Sequence, residues 1–203
     1  MNKNSHKIDL SNEVDKFFNN NFLYLIVILL AFTSCKKETL PKPKAYLRLA
    51  YENSDYHKIN SDCPYTFEVS NKATATHNDK CWVNIEYPEL KASLNITYRP
   101  VKNNLKELLQ ESEKLTYKHV IKADDISAQP YDNYENKKYG RLLEVTGNAA
   151  SPLQFYLTDS SQNFITGALY FEVQPNYDSI LPAVKYIQKD IMHLMETLEW
   201  RNK

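Results

Sequence analysis

Cys35 is the residue whose setting predicts the clearest chemistry. It follows an apolar run at 22–32, FLYLIVILLAF, and the small residues Thr33 and Ser34. This run of eleven residues is too short for a helix that crosses a bilayer, which needs roughly 20. It has the length of the hydrophobic region of a signal peptide. Small residues before a cysteine are typical of a lipobox, although Phe32 stands where leucine is usual. We therefore predict a signal peptide at 1–34 and acylation of the Cys35 thiol.

A buried core helix and an uncleaved membrane anchor are the alternatives for this run. The charged residues at 36–38 follow it directly, which argues against both. Residues 1–21 carry acidic as well as basic side chains, whereas a signal peptide begins with a short positive region. We therefore expect translation to begin further along the chain, near Leu10 or Val14.

Acylation of Cys35 predicts where the protein resides. Each buried methylene of an acyl chain contributes ~0.8 kcal/mol, so two chains attach a protein to a bilayer stably. We predict a lipid-anchored protein of the cell envelope that faces the periplasm. No aspartate follows Cys35, which favours the outer membrane over the inner one. Residues 35–45 are polar and contain KKETLPKPK, which predicts an extended lipidated tether before a single domain at 46–203.

A polar row near the C-terminus is the second candidate for chemistry. Asp190, His193 and Glu196 are spaced by three, so they share one side of a helix and could present metal ligands or an acid–base pair. Such a row is more often solvated, and we predict that here. The sequence has no HExxH motif, nucleophile elbow or phosphate-binding glycine loop. We therefore predict no catalytic, cofactor-binding or metal-binding residues, no cofactor and no enzymatic activity.

Cys63 and Cys81 would share a compartment in which disulfides form. If the runs at 65–69 and 81–87 pair as neighbouring antiparallel strands, the two cysteines lie at opposite ends of the pair. At about 3.3 Å per residue this separates them by roughly 20 Å, whereas bridged Cα atoms lie about 4.4–6.8 Å apart. We therefore predict two unpaired, buried thiols.

The charge balance excludes one class of partner. Lys and Arg number 25 and Asp and Glu also number 25, so no excess of basic charge predicts nucleic-acid binding. Hydrophobic residues make up 42% and aromatic residues 12%, as in ordinary globular domains. The mature chain is long enough to bury close to ~70% of the surface that it exposes when unfolded.

Hydrophobic periodicity predicts an α+β domain. Leucines at helical spacing predict an amphipathic helix at 104–119, and a second apolar stripe predicts another after an N-cap at Ser179. The connection Pro88-Glu89 predicts a hairpin, and the run ITGALYFEV at 165–173 predicts a central strand because both of its faces are apolar. The order βββα-βββα then gives an antiparallel sheet of about six strands packed with two helices. The six predicted strands are 65–69, 81–87, 90–99, 141–146, 153–159 and 163–173.

Seven segments in a fixed order resemble the gliding motility lipoprotein family GldD. They follow a lipobox cysteine and cover essentially the whole mature chain; Cys63, Cys81 and the long N-terminus are departures. The segments are LPKPKAY at 40–46, PYTFEVS at 64–70, IEYPELKASLNITYRP at 85–100, KLTYKH at 114–119, LQFYLTDS at 153–160, ITGALYF at 165–171 and KDIMHLMETLEW at 189–200.

The resemblance implies a function. Members of the family are lipoproteins of gliding Bacteroidetes, needed for gliding and associated with type IX secretion. It implies a membrane-anchored, non-enzymatic component or assembly factor of this machinery, whose partners are the bilayer through acylated Cys35 and other envelope proteins. A small ligand-binding or hydrolytic envelope lipoprotein is the alternative, and the row of Asp190, His193 and Glu196 is its support.

Overall fold

A seven-stranded antiparallel sheet organises the described part of the chain. The structure is a computed structural model that describes residues 55–117, 123–172 and 176–201. The predicted signal peptide, Cys35 and the tether lie outside the described residues. The elements are β1 (Tyr56–Lys58), β2 (Tyr65–Thr66), β3 (Glu68–Ser70), β4 (Thr74–His77), β5 (Val83–Tyr87), β6 (Ala92–Pro100), α1 (Leu105–Tyr117), β7 (Ala123–Asn133), β8 (Lys138–Gly147), β9 (Leu153–Thr158), β10 (Asn163–Phe171), α2 (Tyr177–Thr197) and β11 (Glu199–Trp200).

The predicted fold class, an antiparallel sheet with two helices, is confirmed. The main sheet has seven strands instead of about six, in the order β4-β5-β6-β10-β9-β8-β7, and β1-β3 and β2-β11 form two small ribbons. The prediction missed β4 and β7 because they are the edge strands and most of their side chains are exposed. An edge strand has little need of an alternating apolar face, so periodicity does not reveal it.

The sequence predictions for the central strands of the sheet are confirmed. β10 is the fourth of seven strands, as its two apolar faces predicted. β5 and β6 form the predicted hairpin. A single 3₁₀ turn at Pro88–Leu90 joins them, and Lys91 then adopts a left-handed conformation with φ of 48°.

The second helix buries the predicted stripe, including Val184, Ile187 and Ile191. It begins at Tyr177 after Asn176, so the prediction of a cap at Ser179 is wrong and Pro182 lies in the second turn.

A buried lysine caps the C-terminal end of this helix. Lys138 on β8 is 1% exposed, and its Nζ donates to the carbonyl oxygens of Met195 (3.2 Å) and Glu196 (2.5 Å). A cation at this end satisfies carbonyls that lack intrahelical partners.

The two helices cover opposite faces of the sheet. On β9, Phe155 and Leu157 join the large core beneath α2, whereas the alternating residue Tyr156 packs in a small cluster with Leu108 of α1 and with Phe164. Alternation along a strand sends neighbouring side chains to opposite faces. The α1 face therefore carries a much smaller apolar core than the α2 face.

The prediction of two free thiols is wrong, because Cys63 and Cys81 form a disulfide with Cα atoms 5.5 Å apart. The assumed strand pairing was the error. The predicted strand at 65–69 is divided: β2 pairs with β11 and β3 with β1. β5 pairs with β4 instead. Cys81, which precedes β5, therefore lies next to Cys63. The Tyr65 hydroxyl also donates to the Cys81 carbonyl oxygen at 2.6 Å, which holds the two ends together.

Candidate functional site

The structure divides the polar row on α2 between different partners. Asp190 is 5% exposed, and its Oδ1 accepts a hydrogen bond of 2.8 Å from the Tyr56 hydroxyl. His193 is half-buried, with its Nε2 2.7 Å from Glu68 Oε2, while Glu196 is exposed. The prediction of a solvated row is therefore wrong for Asp190, which β1 covers.

Two tyrosines lie near the Asp190 carboxylate. The Tyr56 hydroxyl donates to its Oδ1, and the buried Tyr87 of β5 is close enough to feel its charge. Burial raises the pKa of Tyr87, and the charge of Asp190 raises it further, so this phenol remains a neutral donor. A buried carboxylate needs such donors because it has lost its hydration. Asp190 is thus a buried charge that the Tyr56 hydroxyl ties to β1.

β1 is fastened to its surroundings by all three of its residues. Tyr56 stacks on the His193 ring with centroids 3.7 Å apart. His57 Nδ1 lies 2.6 Å from Asn71 Oδ1, and Lys58 Nζ forms an ion pair of 2.6 Å with Glu199. We call this arrangement, residues 56–58 with Glu68, Asn71, Asp190, His193 and Glu199, the β1 joint. It attaches the first described strand to α2, β3 and β11 together.

The contacts of the β1 joint attach secondary-structure elements to one another. A histidine that acts as a general base must reach the group that it deprotonates, but His193 Nε2 is directed at Glu68. The nearby Thr197 hydroxyl donates to the His193 carbonyl oxygen (2.8 Å) and accepts from the Glu68 amide (3.1 Å). Among the described residues, no group of three His, Cys, Asp or Glu side chains could hold a metal ion.

A polar cleft of about 230 Å³ opens on the other face of the sheet, beside α1. We call it the α1 cleft. Asn95 and Thr97 of β6, Thr166 of β10, Gln154 of β9 and Ser112 of α1 line it, and Tyr170 lies at its rim. The sequence analysis missed this site. Its signal was the polar side of β6, where Ser93, Asn95 and Thr97 alternate with buried apolar residues.

A wider hollow of about 700 Å³ lies between two turns and the C-terminal strand. Two of the acidic groups that line it already have partners, and the first is Glu199, which pairs with Lys58. Asp159 Oδ1 accepts from the amides of Ser161, Gln162 and Asn163 at 2.7–2.9 Å. Burial acts to raise the pKa of Asp159, but these hydrogen bonds outweigh it and hold the pKa below its usual value. These residues shape the β9–β10 turn.

Comparison with protein-family models shows which family the chain belongs to. The family model described as gliding motility lipoprotein GldD matches residues 36–200, far more than half of the sequence. The chain belongs to the GldD family. The resemblance of the seven segments is thereby confirmed. A comparison with curated proteins gives no match.

Membership makes this chain a lipoprotein associated with gliding motility, and GldD lipoproteins belong to the cell envelope. Every element of the described fold lies within the GldD match, from β1 to β11. No helix among the described residues is both long and apolar enough to cross a membrane.

Proposed function

We propose that this GldD-family chain is a non-enzymatic, membrane-tethered component of the gliding and type IX secretion machinery. It is held at the periplasmic side of the outer membrane by acylated Cys35. The observation that carries the proposal is the start of the family match at residue 36. This is the position directly after Cys35, the predicted mature N-terminus.

The β1 joint supports a role in holding or transmitting force. Among the described elements, β1 is the one nearest to Cys35 along the chain. Force applied through the anchor would therefore meet β1 first among these elements. There the hydrogen bond from Tyr56 to Asp190 and the ion pair from Lys58 to Glu199 pass it to α2 and the C-terminal strand.

The anchor is tested with Cys35→Ala, and Ser34→Ala serves as a matched control that keeps a small residue at the cleavage site. Cells are labelled with palmitate, their membranes are separated on a density gradient, and spreading on agar is scored. We expect Cys35→Ala to lose the label, leave the outer-membrane fraction and abolish spreading, while Ser34→Ala behaves as the unaltered protein. Unchanged fractionation and spreading of Cys35→Ala would contradict the proposal.

A role as a component also predicts stable partners. The tagged, lipidated protein is crosslinked in the envelope and purified, and the retained proteins are identified by mass spectrometry with Cys35→Ala alongside. We expect the lipidated form alone to retain gliding or secretion proteins. Retention of none would contradict the proposal.

Depletion of the protein after the machinery has assembled separates a component from an assembly factor. Gliding should stop if the protein is a component, and it should continue if the protein acts only during assembly.

A further inference from the structure

We propose that the α1 cleft binds one neutral sugar residue. This goes beyond the proposed role in gliding, because it assigns a ligand to a site on the face opposite the β1 joint. Three properties of the cleft support this assignment: its size, its hydrogen-bonding capacity and its lack of charge.

A row of amide side chains crosses the sheet at the cleft. Cross-strand pairing aligns Asn84 with Asn95, Asn95 with Ala168, and Ala168 with Gln154. The methyl group of Ala168 is short, so a hollow remains between the two longer amides that flank it. Each amide offers both a donor and an acceptor, which suits the vicinal hydroxyl groups of a sugar ring.

The polar groups of the cleft have capacity to bind. Within the described part of the chain, the side chains of Asn95, Thr97 and Thr166 have no hydrogen-bond partner. Gln154 Oε1 accepts from the Thr116 hydroxyl at 2.8 Å, which fixes that amide and leaves its NH₂ group to donate. At the end of the row, Asn84 Oδ1 is buried without a partner among the described residues.

The lining favours a neutral ligand. The side chains that line the cleft are amides, hydroxyls, Ala168 and aromatic rings, with no charged group among them, in a chain with 25% charged residues. Nearby charges have partners, since Arg99 pairs with Glu111 and Glu86 accepts from Asn84 at 3.0 Å. A phosphate or carboxylate would lose its hydration here without a compensating cation.

The volume fits a single ring. A cleft of about 230 Å³ holds roughly eight water molecules at ~30 Å³ each, which is enough for one hexose and too little for a folded chain. Tyr170 at the rim is 39% exposed. Its ring offers an apolar surface against which the C–H face of a sugar can stack while the amides bind the hydroxyl groups.

The test uses the full-length lipoprotein in detergent micelles, labelled with ¹⁵N. Glucose, galactose, mannose and N-acetylglucosamine are the neutral probes, and glucuronic acid is the charged comparator of the same ring size. We expect at least one neutral sugar to shift the side-chain amide signals of Asn95 and Gln154, with a dissociation constant of roughly 1 mM for so few contacts. Glucuronic acid should bind at least about fivefold more weakly.

Two variants locate the binding. Ala168→Leu fills the hollow and Asn95→Ala removes one amide, and each should weaken binding about tenfold or more. Ala128→Leu is the matched control, because Ala128 lies in the same cross-strand row but at the exposed edge strand β7; it should bind as the unaltered protein does. A well-dispersed amide spectrum confirms that each variant is folded.

Three outcomes would overturn the proposal. They are no shift with any of the four neutral sugars, glucuronic acid binding as tightly as they do, or binding that survives both Ala168→Leu and Asn95→Ala. Since the assay uses purified protein, its result does not depend on whether Cys35→Ala affects gliding.

Discussion

The two faces of the seven-stranded sheet differ in what covers them. Beneath α2 lies a continuous apolar core, with Phe67, Ile187 and Leu194 at most 2% exposed. Beneath α1 lies a small cluster centred on Leu108 and Tyr156, and the polar surface of β5 and β6 extends beyond it. Because free energy of folding comes mainly from buried apolar area, the α2 face stabilises the fold. The α1 face is free to carry polar groups for a ligand.

Truncation of one leucine on each helix tests this difference, with the largest expected effect. Leu194→Ala on α2 removes a buried side chain and leaves a cavity, which costs ~2–5 kcal/mol of the free energy of unfolding. Leu109→Ala on α1 changes a half-buried side chain and should cost less than about 1.5 kcal/mol. Urea unfolding of the lipoprotein in detergent, followed by tryptophan fluorescence, measures both. Equal losses of unfolding free energy in the two variants would contradict the conclusion that the α2 face stabilises the fold.

The disulfide stabilises the α2 face from its edge, since Cys63 belongs to that core. The bridge closes a loop with a sequence separation of 18, so the double variant Cys63→Ser, Cys81→Ser should lose ~2–4 kcal/mol of stability. Reduction of the unaltered protein should reproduce this loss. With Cys35 acylated, a thiol count on denatured, unreduced protein should return zero. A count of two would contradict the bridge.

Local patterns predicted the interior of the fold well. The stripe through Val184, Ile187 and Ile191 and the doubly apolar β10 are buried because burial itself selects apolar residues at the period of the element. The edge strand β7 escaped prediction for the same reason, since an exposed strand places little demand on its side chains. The β5–β6 hairpin was predictable because its ends are neighbours in sequence.

Long-range pairings could not be predicted from local patterns. The disulfide depends on β2 leaving the run at 65–69 to pair with β11, across more than 130 residues. Asp190 looked solvated because its cover, Tyr56, comes from a segment without periodicity. The α1 cleft arises from cross-strand neighbours on β6, β9 and β10, whose alignment only the sheet order reveals.

The smallest expected effect concerns one ion pair on each face. On the α2 face Glu144 is held by Lys185 Nζ at 2.7 and 2.8 Å and by the Tyr177 hydroxyl at 2.9 Å, and its side chain is 16% exposed. On the α1 face Arg99 pairs with Glu111, and both are largely exposed. Burial acts to raise the pKa of Glu144, but its hydrogen bonds outweigh this and hold the pKa below its usual value.

A lowered carboxyl pKa in the folded state makes stability depend on pH in one direction. The folded protein then binds fewer protons than the unfolded chain, so the contribution of Glu144 is complete above the ordinary glutamate pKa of about 4.3 and disappears as the pH falls through the lowered value. Glu144→Gln should therefore cost on the order of 1 kcal/mol at pH 7 and progressively less in acid. Glu111→Gln, the matched change at the exposed pair, should cost less than Glu144→Gln at pH 7. A reversed order of the two variants would show that the α1 face holds the stronger charged contact, because a pair contributes according to how far it is shielded from water.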